Sequence, residues 1–192
     1  MSSGACDGGA FVVVRAATMT RMTMTIEIRE ASVSDSRCVL EMKRKLDGQT
    51  RFMMFEPDER SMDVEAMKAE IAQLRAADNS VLLLAFARGT GVPVGFVEVT
   101  GGSFRRNRHV GSLVIGICAA HTGMGIGTAL LGACGDWARA HGLGRLELTV
   151  MVHNDRAIRL YEKSGFVVEG RRVAALMVDG VAVDEYVMGR VL

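Results

Sequence analysis

No apolar run in the sequence approaches the roughly 18–20 residues needed to cross a bilayer; "FVVV" and "VLLLAFA" stop far short. A membrane-spanning role is therefore not expected. Charge of one sign is also missing: 23 basic against 22 acidic residues leave a net charge of +1, so no overall field draws the chain to nucleic acid or an anionic surface. Any basic site must be local. The four cysteines, Cys6, Cys38, Cys118 and Cys134, form no CxxC pair, and only Cys118 and His121 lie close enough to begin a metal-ligand set. The expectation is buried thiols, a cytoplasmic protein and no metal. Repeats and low-complexity tracts are absent as well.

Against these absences, 49% of the 192 residues are apolar and 23% charged, the composition of one globular domain able to bury a sizeable core. Residues 1–24 lack the charged start and long apolar centre of a secretory signal. Their Arg, Thr and few acids faintly resemble a transit peptide, whereas clustered Met19, Met22 and Met24 suggest an over-extended start. The segment is read as a disordered tail, with the domain at residues 25–192.

Along that domain, "IEIRE" alternates like a half-buried strand, and Ser34 with Asp35 offers a helix start before "SRCVLEMKRKL". "DGQTRFMMFEPDERSM" has no clear period and reads as an irregular connection suited to line a site. In "VEAMKAEIAQL", Val64, Met67, Ile71 and Leu74 fall on one helix face. Strands "VLLLAFA" and "VGFVEV" flank the turn "RGTGVP", and the polar loop "GGSFRRNR" leads to the strand "HVGSLVIGI". A helix then ends at Gly142, "RLELTVMV" is a strand, and "DRAIRLYEKS" is a helix that Asn154 caps and Gly165 ends. "FVVEG" and a hairpin turning at Asp179-Gly180 close the chain. The order predicts an α/β (α+β) domain with a mixed, mostly antiparallel sheet of about seven strands and about four helices.

Between the last strand of the first half and its helix lies "HTGMGIGTALL", with Gly123, Gly125 and Gly127 alternating. A strand, a glycine turn and a helix N-terminus gather unpaired amides and the helix dipole at one point, which suits a phosphate. The ATP-type loop GxxxxGK[ST] does not fit, since Thr128 follows Gly123 by five and no lysine occurs between Lys68 and Lys163. The dinucleotide fingerprint GxGxxG places Thr128 or Leu130 at its third glycine, and it opens its fold rather than standing in mid-chain.

The stretch resembles the Gcn5-related N-acetyltransferase (GNAT) family, whose signature [QR]-x-x-G-x-[GA] is met by Gly125 and Gly127, with Thr122 where glutamine or arginine is usual and Met124 where a basic residue is common. "NDRAIRLYEKSGF" is similar to the family's N-x-x-A-x-x-L-Y-x-K-x-G-F segment, and "EGRRVAALMVDGVAVDEYVM" to the ending of a subgroup that includes amino-acid N-acetyltransferases. Coverage runs from about Ile26 to the C-terminus. The resemblance implies acetyl-coenzyme A as co-substrate, its pyrophosphate on the backbone of Thr122, Gly123, Met124, Gly125, Ile126, Gly127 and Thr128, and its pantetheine arm along Ile115 and Ile117. Asn154 would contact the cofactor as well as cap its helix, and Tyr161 would both contact it and act as general acid. A homodimer is common among similar proteins.

Amide donors in Ile115-Gly116-Ile117 would serve the oxyanion. For the base, Glu98 and His109 are candidates, each with a bland surface alternative. At pH 7 an α-amine of pKa near 7.8 is about one-seventh neutral and a lysine amine about one in two thousand, so a missing strong base favours α-amines with water as relay. Arg105, Arg106 and Arg108 form the dense basic cluster and would grip a substrate carboxylate, with "TRFMMFEPDER" supplying apolar contacts. The expected reaction is acetyl transfer from acetyl-coenzyme A to the amine of a small, amino-acid-like molecule. Acetylation of protein N-termini, or a non-catalytic acyl-coenzyme A module, are the alternatives.

Overall fold

The computed structural model describes residues 11–12, 25–61 and 63–192. Among these described residues, eight strands form one sheet in the order β1-β2-β3-β4-β5-β6-β8-β7. They are β1 (Phe11–Val12), β2 (Ile26–Glu30), β3 (Val81–Ala87), β4 (Pro93–Gly101), β5 (Val110–Ile117), β6 (Arg145–Met151), β7 (Val167–Val178) and β8 (Val181–Val191). The helices are α1 (Ser36–Gln49), α2 (Val64–Ala76), α3 (Ile126–Ala140) and α4 (Asp155–Lys163). This is the expected α/β order with one addition. Phe11–Val12, inside the segment read as a tail, pair antiparallel with Ile28 and Arg29; the rest of that reading lies outside the described residues, as does Cys6.

Helices cover both faces. On one side, Ile126, Leu130, Leu131, Cys134 and Ala138 of α3 pack with Ile28, Val97 and Leu148 of the sheet. On the other, Val39, Leu40 and Leu46 of α1 join Met67, Ile71 and Leu74 of α2 against Leu82, Leu84, Phe86 and Phe96. Strand β3 explains its own unbroken apolar run: alternate residues enter the two cores, and all seven are buried. A strand with helices on both faces has no polar side to show.

The α1 start is held by charge. Asp35, the last residue of a 3-10 turn at Val33–Asp35, takes two hydrogen bonds from Arg29 (2.7 and 2.8 Å) and two from Ser32.

The C-terminal segments differ from expectation in one respect. "FVVEG" and "VAALMV" are parts of a single long strand, β7, because two register shifts against β8 absorb the misfit between them. At the second shift Ala174 adopts φ 50°, and its N–H is held by Asp184 Oδ1 at 2.7 Å. Such a bulge twists and re-aims the residues that follow. The Asp179-Gly180 turn has positive φ at both residues (50° and 77°), as a type I′ hairpin requires.

Candidate active site

Strands β5 and β6 are the parallel neighbours, and their pairing stops after three positions, Val110 with Arg145 to Ser112 with Glu147. Beyond Ser112, β5 stays in register with β4 as far as Ile117, while β6 stays with β8 as far as Met151. The two halves of the sheet therefore part. The β5 backbone from Leu113 onward faces a gap instead of a ladder, and buried amides without a partner call for one. Into the gap opens a cleft of about 710 Å³.

The glycine loop closes one end of it. Gly125 caps α3 at φ 78° and without a side-chain bond. The first hydrogen bond across this end is Ala129 N–H to Gly125 at 3.0 Å, so the amides of Ile126, Gly127 and Thr128 have no helical acceptor. A Cβ built on Gly125 meets nothing within 4 Å, so the approach to these amides is open. Gly127 has another reason to be glycine: a Cβ there would lie 2.7 Å from Leu160 of α4 and 3.0 Å from Ile117. Its absence lets α3 seat closely between β5 and α4. Thr122 spends its hydroxyl on Ala119 C=O at 2.8 Å, and His121 Nδ1 is buried without a hydrogen-bond partner.

The structure gathers most of the residues picked from the sequence. Ile115, Ile117, Thr122, Gly123, Gly125, Ile126, Gly127, Thr128, Asn154 and Tyr161 all line the cleft. Met124 does not; it is exposed. Asn154 Oδ1 caps α4 by accepting from Ala157 N–H at 3.2 Å. Tyr161 is buried, edge-on to Phe166, and burial pushes its phenol up to about 12.

The candidate bases and the arginine cluster are placed elsewhere. Glu98 accepts from Lys43 Nζ at 2.7 Å and lines a second cavity of about 640 Å³ bounded by Glu70, Asp78 and Arg108. A carboxylate already held by a buried ammonium, outside the cleft, is a structural ion pair. His109 is exposed at the opposite end of β5 from the gap, its carbonyl accepting from Gly144 and Arg145. Arg105, Arg106 and Arg108 are exposed on the loop at that same far end, and Arg108 pairs with Asp78. None of these five lines the cleft.

In their place stand residues the sequence reading passed over. Arg156, Arg159 and Lys163 of α4 line the cleft, with Arg156 on the side of the glycine loop, its Nη2 3.7 Å from a Cβ built on Gly123. Their three- and four-residue steps were a readable signal. At the other end are Phe52, Met53 and Met54 from the irregular connection, with Met151, Leu176 and Glu185. The connection was expected to supply apolar contacts; Glu185 had no signal, since its position depends on β8 pairing with β6.

A bilobed sheet, an amide cradle beneath α3 and cations from α4 fit a long phosphorylated ligand lying along the gap. The family model for acetyltransferase (GNAT) proteins matches residues 47–166. The chain belongs to the GNAT family. As a member, it is an acetyl-coenzyme A dependent N-acetyltransferase. It is 32% identical over 123 residues to the L-amino acid N-acetyltransferase AaaT of Escherichia coli strain K12, covering 62% of this chain and 74% of that one. Among solved structures, a GNAT acetyltransferase from Streptococcus pneumoniae is 32% identical with a TM-score of 0.82, over 87% of this chain and 99% of that one. A phosphinothricin acetyltransferase from Sinorhizobium meliloti, solved with acetyl-coenzyme A, shares the GNAT fold at 22% identity and TM-score 0.77, over 88% of this chain and 89% of that one.

Proposed function

We propose that this GNAT enzyme acetylates the primary amine of a small, amino-acid-like molecule, most readily one with an apolar side chain. The observation that carries the reading is the parted pair β5 and β6, which joins an amide cradle at one end to an apolar pocket of Phe52, Met53, Met54, Met151 and Leu176 at the other. The likeness to an L-amino acid N-acetyltransferase supports the same substrate class.

Acetyl-coenzyme A supplies the thioester carbonyl that the acceptor nitrogen attacks, the N–C bond forming as the C–S bond breaks. The amides at residues 123–128 hold its pyrophosphate, with Arg156 and Arg159 supplying the positive charge that Thr122 and Met124 lack. Amides on the free edge of Ile115-Gly116-Ile117 donate to the carbonyl oxygen as it gains charge. Tyr161 remains a phenol across the working pH range, with its pKa pushed up to about 12. Full transfer of its proton to a thiolate whose acid has a pKa near 8.5 runs uphill. Tyr161 therefore acts by donating a hydrogen bond to the departing sulfur, and the proton shed by the acceptor nitrogen restores the balance through water. With Glu98 and His109 outside the cleft, water is also the acceptor for that proton, which suits an α-amine more than a side-chain amine.

The test follows thiol release from acetyl-coenzyme A over a panel of L-amino acids, polyamines, aminoglycosides and peptides. Turnover highest on apolar amino acids is expected; peptides outpacing them would move the substrate class to polypeptide N-termini, and cofactor binding without any turnover would make the protein a binding module. Tyr161→Phe should lower kcat about a hundredfold or more while cofactor binding persists.

The outer strand β7 exposes Val167, Val168, Val173 and Met177 along a free edge. Such an edge suits a homodimer, which sedimentation would register as twice the chain mass.

A further inference from the structure

Charge is sorted along the cleft. The arginines and the lysine of its lining, Arg156, Arg159 and Lys163, belong to α4, whose Arg156 stands by the glycine loop, 3.7 Å from a Cβ built on Gly123. Among the described residues, the lining holds one carboxylate, Glu185, which reaches it from β8 beside the apolar end. Glu185 is 4% exposed. It pairs in register with Met151, on the sheet face that also carries Thr149 into the cleft.

A buried carboxylate is costly unless it is paired. Arg172 of β7 donates to Glu185 Oε2 at 3.1 Å, while its own side chain is 57% exposed. Arg172 does not line the cleft. The cation thus comes from the position on β7 that pairs in register with Glu185, and the bond it donates engages Oε2 alone. The neighbouring bulge at Ala174 belongs to the same arrangement, because the register shift between Arg172 and Leu176 accompanies Leu176 reaching the cleft next to Glu185.

We propose that Glu185 is the group that receives the acceptor's ammonium, and that the enzyme selects acceptors carrying a positive charge next to an apolar body. This rests on the acetyltransfer reading and specifies how its acceptor is chosen. Acceptors arrive protonated at neutral pH, since most amines titrate above 7. A carboxylate in a partly desolvated pocket attracts them where water would screen the charge. The cations at the opposite end draw the cofactor phosphates there, so the two charged ligands are sorted to opposite ends of one cleft. Glu185 binds and orients; the proton leaves the nitrogen through water, as above.

The experiment compares Glu185→Gln with the wild type, using whichever amine of the panel has the highest kcat/KM. The expected result is a rise of tenfold or more in KM for that amine, a kcat changed by less than threefold, and an unchanged thermal shift on adding coenzyme A. That last readout also shows that the variant has folded. Glu185→Asp should recover part of the affinity. Arg172→Met is the control for a purely structural pair: if Glu185 serves only Arg172, both variants lose similar stability and neither raises KM, which overturns the proposal. If the wild type acetylates no amine at all, the acetyltransfer reading fails first; if it turns over with the same KM in Glu185→Gln, only the role of Glu185 is lost.

Discussion

Asp35 is fully buried, and four hydrogen bonds from Arg29 and Ser32 decide that it stays charged there. Burial alone raises a carboxyl pKa; here it is outweighed by Arg29 and Ser32, which bring Asp35 down to about 2 from 3.8. A depressed pKa adds stability above the unfolded value and loses it as pH falls through the folded one. The pair should therefore contribute about 2 kcal/mol at pH 7, with the contribution fading between about pH 4 and pH 2. Asp35→Asn removes the carboxylate from a buried guanidinium that also lies 4.4 Å from the Phe86 ring. The expected loss is about 3 kcal/mol or more at pH 7, read from urea midpoints, and the gap to wild type should narrow at pH 2. A gap that stays constant from pH 7 to pH 2 would mean that shape, and not charge, governs the site.

At the scale of elements, α4 does three jobs in nine residues. Asn154 caps it, Tyr161 faces the cleft, and Arg156, Arg159 and Lys163 supply charge beside a loop that has none. Arg156→Ala and Arg159→Ala should each weaken coenzyme A binding roughly tenfold, as loss of a charge-assisted hydrogen bond costs about 1.5 kcal/mol or more. The salt dependence of binding should flatten with them, measured by calorimetric titration of coenzyme A at two ionic strengths. Equal affinity in wild type and both variants would put the phosphates elsewhere. Elements of this kind were legible because their signals are local: the cap at Asn154, the glycine stops at Gly142 and Gly165, the Asp179-Gly180 turn, the start of α1 and the face of α2 each sit within a few residues. The placement of Glu98, His109 and the arginine loop was not, because it depends on where the sheet opens. Alternation along β4 says that Glu98 faces away from Val97 and Val99; only Lys43, 55 residues away, shows that its carboxylate is already engaged. Glu185 was hidden for the same reason.

On the scale of the whole molecule, the sheet is two units, β1 to β5 and β6 to β8, joined side by side by three residue pairs. Packing supports the join from one face, where α3 and α4 bridge the units, with Leu130 and Tyr161 in one core beside Val97 and Leu148. Past Ser112 the gap offers backbone edges and an apolar lining to whatever lies between the strands. A ligand filling it binds both units at once and binds the folded state alone, so it stabilises by mass action, about 2.7 kcal/mol at a hundred times its Kd. For a chain of this size that corresponds to a rise in Tm of roughly 5–10 °C, measured by calorimetry with coenzyme A. The same contact should slow amide exchange where the strands part, at residues 113–117 and 149–151, more than at residues 83–86, which pair with a strand on either side. Protection gained equally in all three segments would mean that the cofactor stabilises the fold globally without lying in the gap; protection concentrated at the parting strands, with the rise in Tm, would fix its course between the two halves of the sheet.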